Sequence, residues 1–389
     1  MRYQPNSKNS STISIQLVCA IVFILFTLPY LYFFQADMLA AAQHVLSGGQ
    51  TSYSPIAGAL IITLILLCVQ RVVQRIAGLR KHSYALTYFP SMMLLTLLTS
   101  ITLDGSTMYA LGFRAWLMPL LLAVWVVAVL LARGLQGVEP AREPTGLMSR
   151  AMWFNMLQLS LFIILSVSMS NTHAVEHYRM KAETYLMKGD YRGALQVGQK
   201  SLESDDNLQM IRMYALARTD QLGENLFAYP VAGSSASMLP VEGLSKFMMY
   251  PVDSLYKFLG AKPRGAMTTH RYLELLQRRD SFARKPVADY ELCGLLIDKQ
   301  LDQFVSRLQT LYADSDSLIA DRLPKHYREA LILYTHQRLR PQIVYRNSVM
   351  DEDWKNLKDL EKQYTDSTER KGKVEELYRG TYWYYYEYE

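Results

Sequence analysis

The chain has 389 residues, half of them hydrophobic, with 41 Lys and Arg against 35 Asp and Glu. The whole excess of +6 precedes residue 171, where ten basic residues face four acidic ones, and residues 171–389 carry 31 of each. A neutral C-terminal half without a basic patch argues against nucleic acid as a partner, and Cys293, alone beyond residue 170, excludes an intramolecular disulfide there.

Five apolar stretches approach or reach the roughly 20 residues that cross a bilayer. They run from about 13–34, 55–73, 85–103, 115–132 and 152–169. Lys and Arg are retained on the cytoplasmic side of a membrane. Arg2 and Lys8 precede the first stretch, Arg71, Arg75, Arg80 and Lys81 separate the second from the third, and Arg133, Arg142 and Arg150 separate the fourth from the fifth. Residues 35–54 hold no Lys or Arg, and residues 104–114 hold only Arg114. The alternation places residues 1–12 in the cytoplasm, spans within 13–170, and residues 171–389 outside the cytoplasm. Cleavage of the first span as a signal peptide near Ala40–Ala42 is disfavoured, because its apolar core exceeds the usual run of about 7 to 15 residues. Ionisable groups are essentially missing from the five runs, which argues against ion-coupled transport. Gln70, Asn155 and Gln158 read as contacts between helices.

In the first external loop, ADMLAAAQHVLSGG reads as an interfacial amphipathic helix stopped by Gly48 and Gly49. Asp37 and His44 within it are candidate catalytic groups for a glycosyltransferase-like membrane enzyme, since a carboxylate near the bilayer surface can deprotonate an acceptor. After the fifth span, His173, Glu176 and His177 form an H-x-x-E-H pattern, two histidines one helical turn apart with a glutamate beside them. A zinc site needs a further downstream ligand; the position where one would fall is Pro230. These residues read as a wet first helical turn, so no metal and no cofactor is expected.

Residues 178–205, YRMKAETYLMKGDYRGALQVGQKSLESD, resemble a tetratricopeptide repeat, a pair of antiparallel helices. Tyr178, Ala182, Tyr185, Gly189, Tyr191 and Ala194 occupy its packing positions, with Gly189 and Asp190 as the turn and Ala194 allowing close helix approach. Gly198 stands where an aromatic or Leu is usual. Gly223 and Ala228 suggest a degenerate second copy. Further helices are expected over 267–279, 287–312 (a hairpin broken near Lys299 and Gln300), 324–338, 351–363 and 366–379, with a long loop over 228–243. The expected fold is all-α: about five transmembrane helices, then a TPR-like α-helical repeat domain. SLYK, residues 254–257, is an isolated S-x-x-K without the companion motifs of a serine acylase.

AQHVLSGG (42–49), KGDYRGAL, ALARTDQLGENLFAYP, LPKHYREALILY (323–334) and the GTYWYYY ending together resemble an uncharacterised family of polytopic membrane proteins from Bacteroidota. The resemblance implies a Gram-negative inner membrane and a periplasmic helical domain, and brings no activity. The final residues, GTYWYYYEYE, carry Tyr382, Trp383, Tyr385 and Tyr386, read either as a cap closing the helical core, a belt at the membrane interface, or a platform for sugar or peptide. Helical context favours a helix over a strand there. Helical-repeat surfaces bind extended partners, so the expected function is an inner-membrane-anchored periplasmic scaffold or adaptor for envelope proteins or peptides. The alternative is a membrane enzyme subunit of envelope glycan or lipid metabolism.

Overall fold

The computed structural model describes residues 7–79, 81–104, 107–110, 116–135, 149–279, 285–312 and 323–389. Arg2, Arg80, Arg114 and Arg142, which entered the orientation argument, lie outside the described residues, as does Ala115 at the start of the fourth expected span. The chain divides into two units, Met1–His173 and Ala174–Glu389. Both are α-helical, the first with one small β-hairpin.

The first unit contains α1 (Ser7–Pro29, extended by a π-helical turn at Tyr30–Phe34), α2 (Ala36–Leu46), α3 (Pro55–Ala77), α4 (Phe89–Thr99), α5 (Leu117–Leu135) and α6 (Arg150–Met169). Among the described residues, four helical segments are long and apolar enough to cross a membrane: Ile13–Phe34, Pro55–Ala77, Leu117–Leu135 and Arg150–Met169. They expose large apolar side chains, among them Leu25, Ile61, Leu131 and Phe154, which favour contact with lipid over water.

The stretch expected as a third span is built differently. Residues Lys81–Tyr88 form a 3₁₀ helix, α4 follows with only eleven residues, and β1 (Ile101–Asp104) pairs antiparallel with β2 (Thr107–Ala110). Pro90 is the physical reason for the change. It has no N–H to give the Leu86 carbonyl four residues back, and the indole N–H of Trp125 on α5 donates there instead at 2.8 Å. The 3₁₀ segment is clamped by two buried amides. Gln70 donates to the Tyr84 hydroxyl (3.1 Å) and to Thr87 (2.9 Å). Asn155 accepts from the Ala85 N–H at 2.7 Å and donates to the Lys81 carbonyl at 2.6 Å. The helix-contact roles expected of these residues are thus specific: Asn155 satisfies backbone that a regular helix would have satisfied itself, and Gln70 holds two side-chain hydroxyls of the segment. Arg133 on α5 likewise donates to the Ala77 and Ile76 carbonyls that end α3.

The second unit contains α7 (Ala174–Met187), α8 (Tyr191–Gln196), α9 (Asp206–Arg218), α10 (Leu222–Asn225), α11 (Val252–Leu259), α12 (Thr269–Arg279), α13 (Lys285–Ile297), α14 (Leu301–Tyr312), α15 (Lys325–Gln337), α16 (Ser348–Gln363), α17 (Ser367–Tyr378) and α18 (Tyr382–Tyr388). Three successive pairs, α7/α8, α9/α10 and α13/α14, turn in the same way. Gly189, Asp220 and Lys299 each adopt positive φ (73°, 55° and 57°). Each donates to the carbonyl three residues back, and the following residue donates to the carbonyl five residues back. This is the Schellman closure of a helix, made twice by residues other than glycine. Asp220, and not Gly223, is therefore the equivalent of Gly189, so the expected second copy is shifted by three residues.

Gly223 has another role, on the first turn of α10. A Cβ there would lie 2.8 Å from Pro324 and 3.0 Å from Tyr327, so the missing side chain lets α10 reach α15. Gly198 is similar: its φ is +60° and a Cβ would meet the Tyr178 ring at 2.7 Å, which explains the departure from the repeat pattern. Gly223→Ala is expected to destabilise the protein by about 1–3 kcal/mol through overpacking. Gly372→Ala, on exposed α17 with nothing within 4 Å of the added carbon, is expected to stabilise by up to about 1 kcal/mol. Thermal unfolding of the purified variants checks both signs.

Candidate functional site

Asp37 lies in the first turn of α2 and His44 in its last, two turns apart, with Gly48 and Gly49 at positive φ just beyond. The helix buries Met38, Leu39, Ala41 and Ala42. His173 precedes α7, and Glu176 and His177 sit in its first turn. Among the described residues no group of three His, Cys, Asp or Glu side chains could hold a metal ion. Of the repeat-packing residues, Ala182 and Ala194 are buried and Tyr178, Tyr185 and Tyr191 are half-buried at the α7/α8 contact, while Gly189 makes the turn.

The long loop expected over 228–243 is an extended strap from about residue 229 to 251, with one 3₁₀ turn at Ser235–Ser237. It lies along α7, α9 and α13 and is held through its backbone. The fully buried Glu183 carboxylate on α7 accepts the N–H groups of Met248, Met249 and Tyr250 at 2.6–3.1 Å. Arg179, one turn earlier, donates to the Lys246 carbonyl at 2.9 Å. On α9, Asn207 accepts from the Lys246 N–H (2.8 Å) and Gln209 from the Ala232 N–H (2.5 Å). Just past the end of α13, Asp298 accepts both the N–H and the hydroxyl of Ser235 at 3.0 and 2.5 Å. Burial pushes the Glu183 carboxyl above its usual range, opposed by the Met249 amide and by Arg179. Met238 and Leu239 of the strap are completely buried, so it is part of the core.

The tail is helical. Thr381 caps α18 by accepting from the Tyr384 N–H, and Tyr382, Trp383, Tyr384 and Tyr385 are buried in the unit's own core while Tyr386 is half-buried. Those rings are consequently not an open platform. Glu329 on α15 anchors them: its carboxylate accepts the Tyr382 N–H at 2.7 Å and its carbonyl accepts the Trp383 indole N–H at 2.8 Å. The same carboxylate oxygen lies 2.8 Å from Nδ1 of buried His326. The Phe227 N–H donates to His326 Nε2 at 3.3 Å, so Nδ1 carries the proton that His326 gives to Glu329. Phe227 also packs against the Tyr382 and Tyr385 rings, with centroids 5.1 and 4.7 Å away. The Tyr385 hydroxyl donates to the Ile297 carbonyl at 2.7 Å, and its burial pushes the phenol up to about 12.

One open region remains beside the strap, where α12 begins, α13 ends and α14 begins. A cavity of about 290 Å³ reaches from Ser235 and Thr269 to Asp298 and Gln300. A second, of about 400 Å³, runs along Glu274, Asp302, Ser306 and Arg307. The two share His270, Glu291, Leu295 and Gln303 and form one cleft. Its floor is Glu291, which receives Arg307 through Nε at 2.6 Å and Nη2 at 3.0 Å and also the Gln277 amide. That pairing holds the guanidinium firmly charged. At the rim, Glu274 is bridged by Arg271 and Arg278 at 2.7 and 2.6 Å, and Asp302 by Arg338 at 2.7 Å. Each acid thus has a cation or hydroxyl partner, while His270, Gln300, Gln303 and Ser306 are exposed. No sequence motif marks these residues. They are ordinary polar positions on amphipathic helices, and only packing brings them together.

Residues 267–389 match a protein family of unknown function (DUF6057). The matched segment runs from just before α12 to the tail, and so contains the cleft helices, Glu329 and α18. No curated protein and no solved structure matches the chain.

Glu329→Ala strands two buried donors, the Tyr382 N–H and the His326 Nδ1–H, at about 1–3 kcal/mol each. The variant is expected to melt on the order of 10 °C lower and to lose α18 first, seen as early hydrogen exchange in residues 381–389. Glu183→Ala leaves three strap N–H groups without their acceptor and is expected to cost about 3 kcal/mol or more, with proteolysis moving to residues 244–250.

Proposed function

We propose that the protein is an inner-membrane-anchored helical-repeat scaffold of a Gram-negative envelope, whose second unit lies in the periplasm and binds envelope proteins or peptides. Residues 1–12 are cytoplasmic in this reading. The observation that carries it is the set of three helix pairs with one turn geometry, along which an extended segment of the chain is held by its backbone. Surfaces of that kind recognise extended chains. The four long apolar helices supply the anchor, and the basic residues between them supply the orientation. The tetratricopeptide-like character of α7/α8 and the Bacteroidota-type resemblance point the same way.

Two measurements test the reading. In intact cells, Glu203→Cys, in the exposed link between α8 and α9, is expected to react with a membrane-impermeant maleimide; protection until the inner membrane is opened reverses the orientation. Crosslinking in cells followed by purification is expected to retain one reproducible envelope protein. Recovery of lipid-linked sugar without any protein partner favours the enzyme-subunit reading centred on Asp37 and His44.

A further inference from the structure

We infer that the cleft between α12, α13 and α14 is the docking site for an extended peptide segment of a partner protein, held mainly through its backbone. The inference rests on the scaffold reading and narrows it to one surface. Its first support is continuity. The strap passes the C-terminal end of α13 at this cleft: Ser235 lines the cavity and gives its N–H and hydroxyl to Asp298. The strap's other backbone groups are taken by Glu183, Asn207 and Gln209 along the preceding helix pairs. The groove of the helix pairs is therefore filled by the chain itself up to α13, and the cleft is where it is open.

The lining also selects the occupant. Gln300 and Gln303 each offer a donor and an acceptor, as a peptide backbone requires. His270 and Ser306 add further polar groups at the mouth. An anionic ligand finds four carboxylates, Glu274, Glu291, Asp298 and Asp302, while Arg307 in the lining is engaged by Glu291 and Gln277 and the rim guanidiniums Arg271, Arg278 and Arg338 by Glu274 and Asp302. A saccharide finds no exposed Trp, Tyr or Phe face to stack on: Tyr290 in the lining is fully buried, which leaves the smaller His270 imidazole. A neutral extended backbone meets neither obstacle, and adjoining cavities of about 290 and 400 Å³ that share four lining residues give it room.

The test uses the full-length protein in detergent and a display library of random peptides. Selected peptides are expected to compete with one another and to lose affinity when their backbone nitrogens are methylated. Ser306→Arg and, separately, Gln303→Arg, both at exposed positions facing the cleft, are expected to weaken binding by about tenfold or more. Glu203→Arg, remote from the cleft, is expected to leave binding unchanged. Peptides that bind all variants alike, no selected peptide at all, or displacement by a chitin oligosaccharide at the cleft overturns the inference. If the crosslinked partner is retained equally by wild type and Ser306→Arg, the scaffold reading stands and the cleft assignment fails. Loss of any partner in wild type removes the scaffold reading itself.

Discussion

The buried Glu329 carboxylate is the interaction on which the second unit depends. A charged or strongly polar group deep in a core is tolerated only when it is partnered, and here one oxygen takes Tyr382 and His326, which in turn takes the Phe227 N–H, while Lys325 Nζ stands 3.7 Å from the other. Three segments far apart in sequence, the end of α10, helix α15 and the tail, are thereby set in one geometry. Aromatic rings alone would pack in many ways, because ring contacts are weakly directional. The hydrogen-bonded chain through Glu329 selects one of them. The Trp383 indole on the Glu329 carbonyl and the Tyr385 hydroxyl on Ile297 then fix the orientation of α18.

The same logic operates elsewhere. Glu183 is fully buried and holds three consecutive N–H groups of a strap that has no regular secondary structure to satisfy them. In the first unit, Asn155 and Trp125 serve backbone groups left open by the 3₁₀ segment and by Pro90, and Gln70 holds the segment's Tyr84 and Thr87 hydroxyls. In each place an irregular stretch of chain is accompanied by a polar side chain from another helix. The irregularity and its partner have to be retained together, since either one alone leaves a buried polar group unmatched.

The cleft has a different character. Its acids are already paired, Glu274 and Glu291 within α12–α14, Asp302 with Arg338 beyond α15 and Asp298 with the strap, while the amides and hydroxyl at its mouth stay exposed. The strap shows what a chain segment in such surroundings does, since it is held chiefly through its backbone. A surface of this type distinguishes partners by fit and by the few side chains that reach neighbouring pockets, and tolerates variation in the rest.

Much of the architecture was legible in the sequence, because it follows from local patterning. Apolar runs marked four of the membrane-length helices, and helical periodicity marked α12 through α17, including the break at Lys299 and Gln300. Other features were not legible. The third apolar run reads as a span by length and lack of charge, yet Pro90 and the partners waiting on α3, α5 and α6 make it a 3₁₀ segment and a short helix. The repeat register followed Gly223, while the structural turn is at Asp220, since a left-handed turn requires a conformation and not a particular residue. GTYWYYYEYE by itself determined that a large aromatic surface needed covering. Only tertiary structure decided what covers it, because the partners, Phe227, His326 and Glu329, come from positions whose proximity no local pattern encodes. The cleft is the extreme case: it consists wholly of relations between helices.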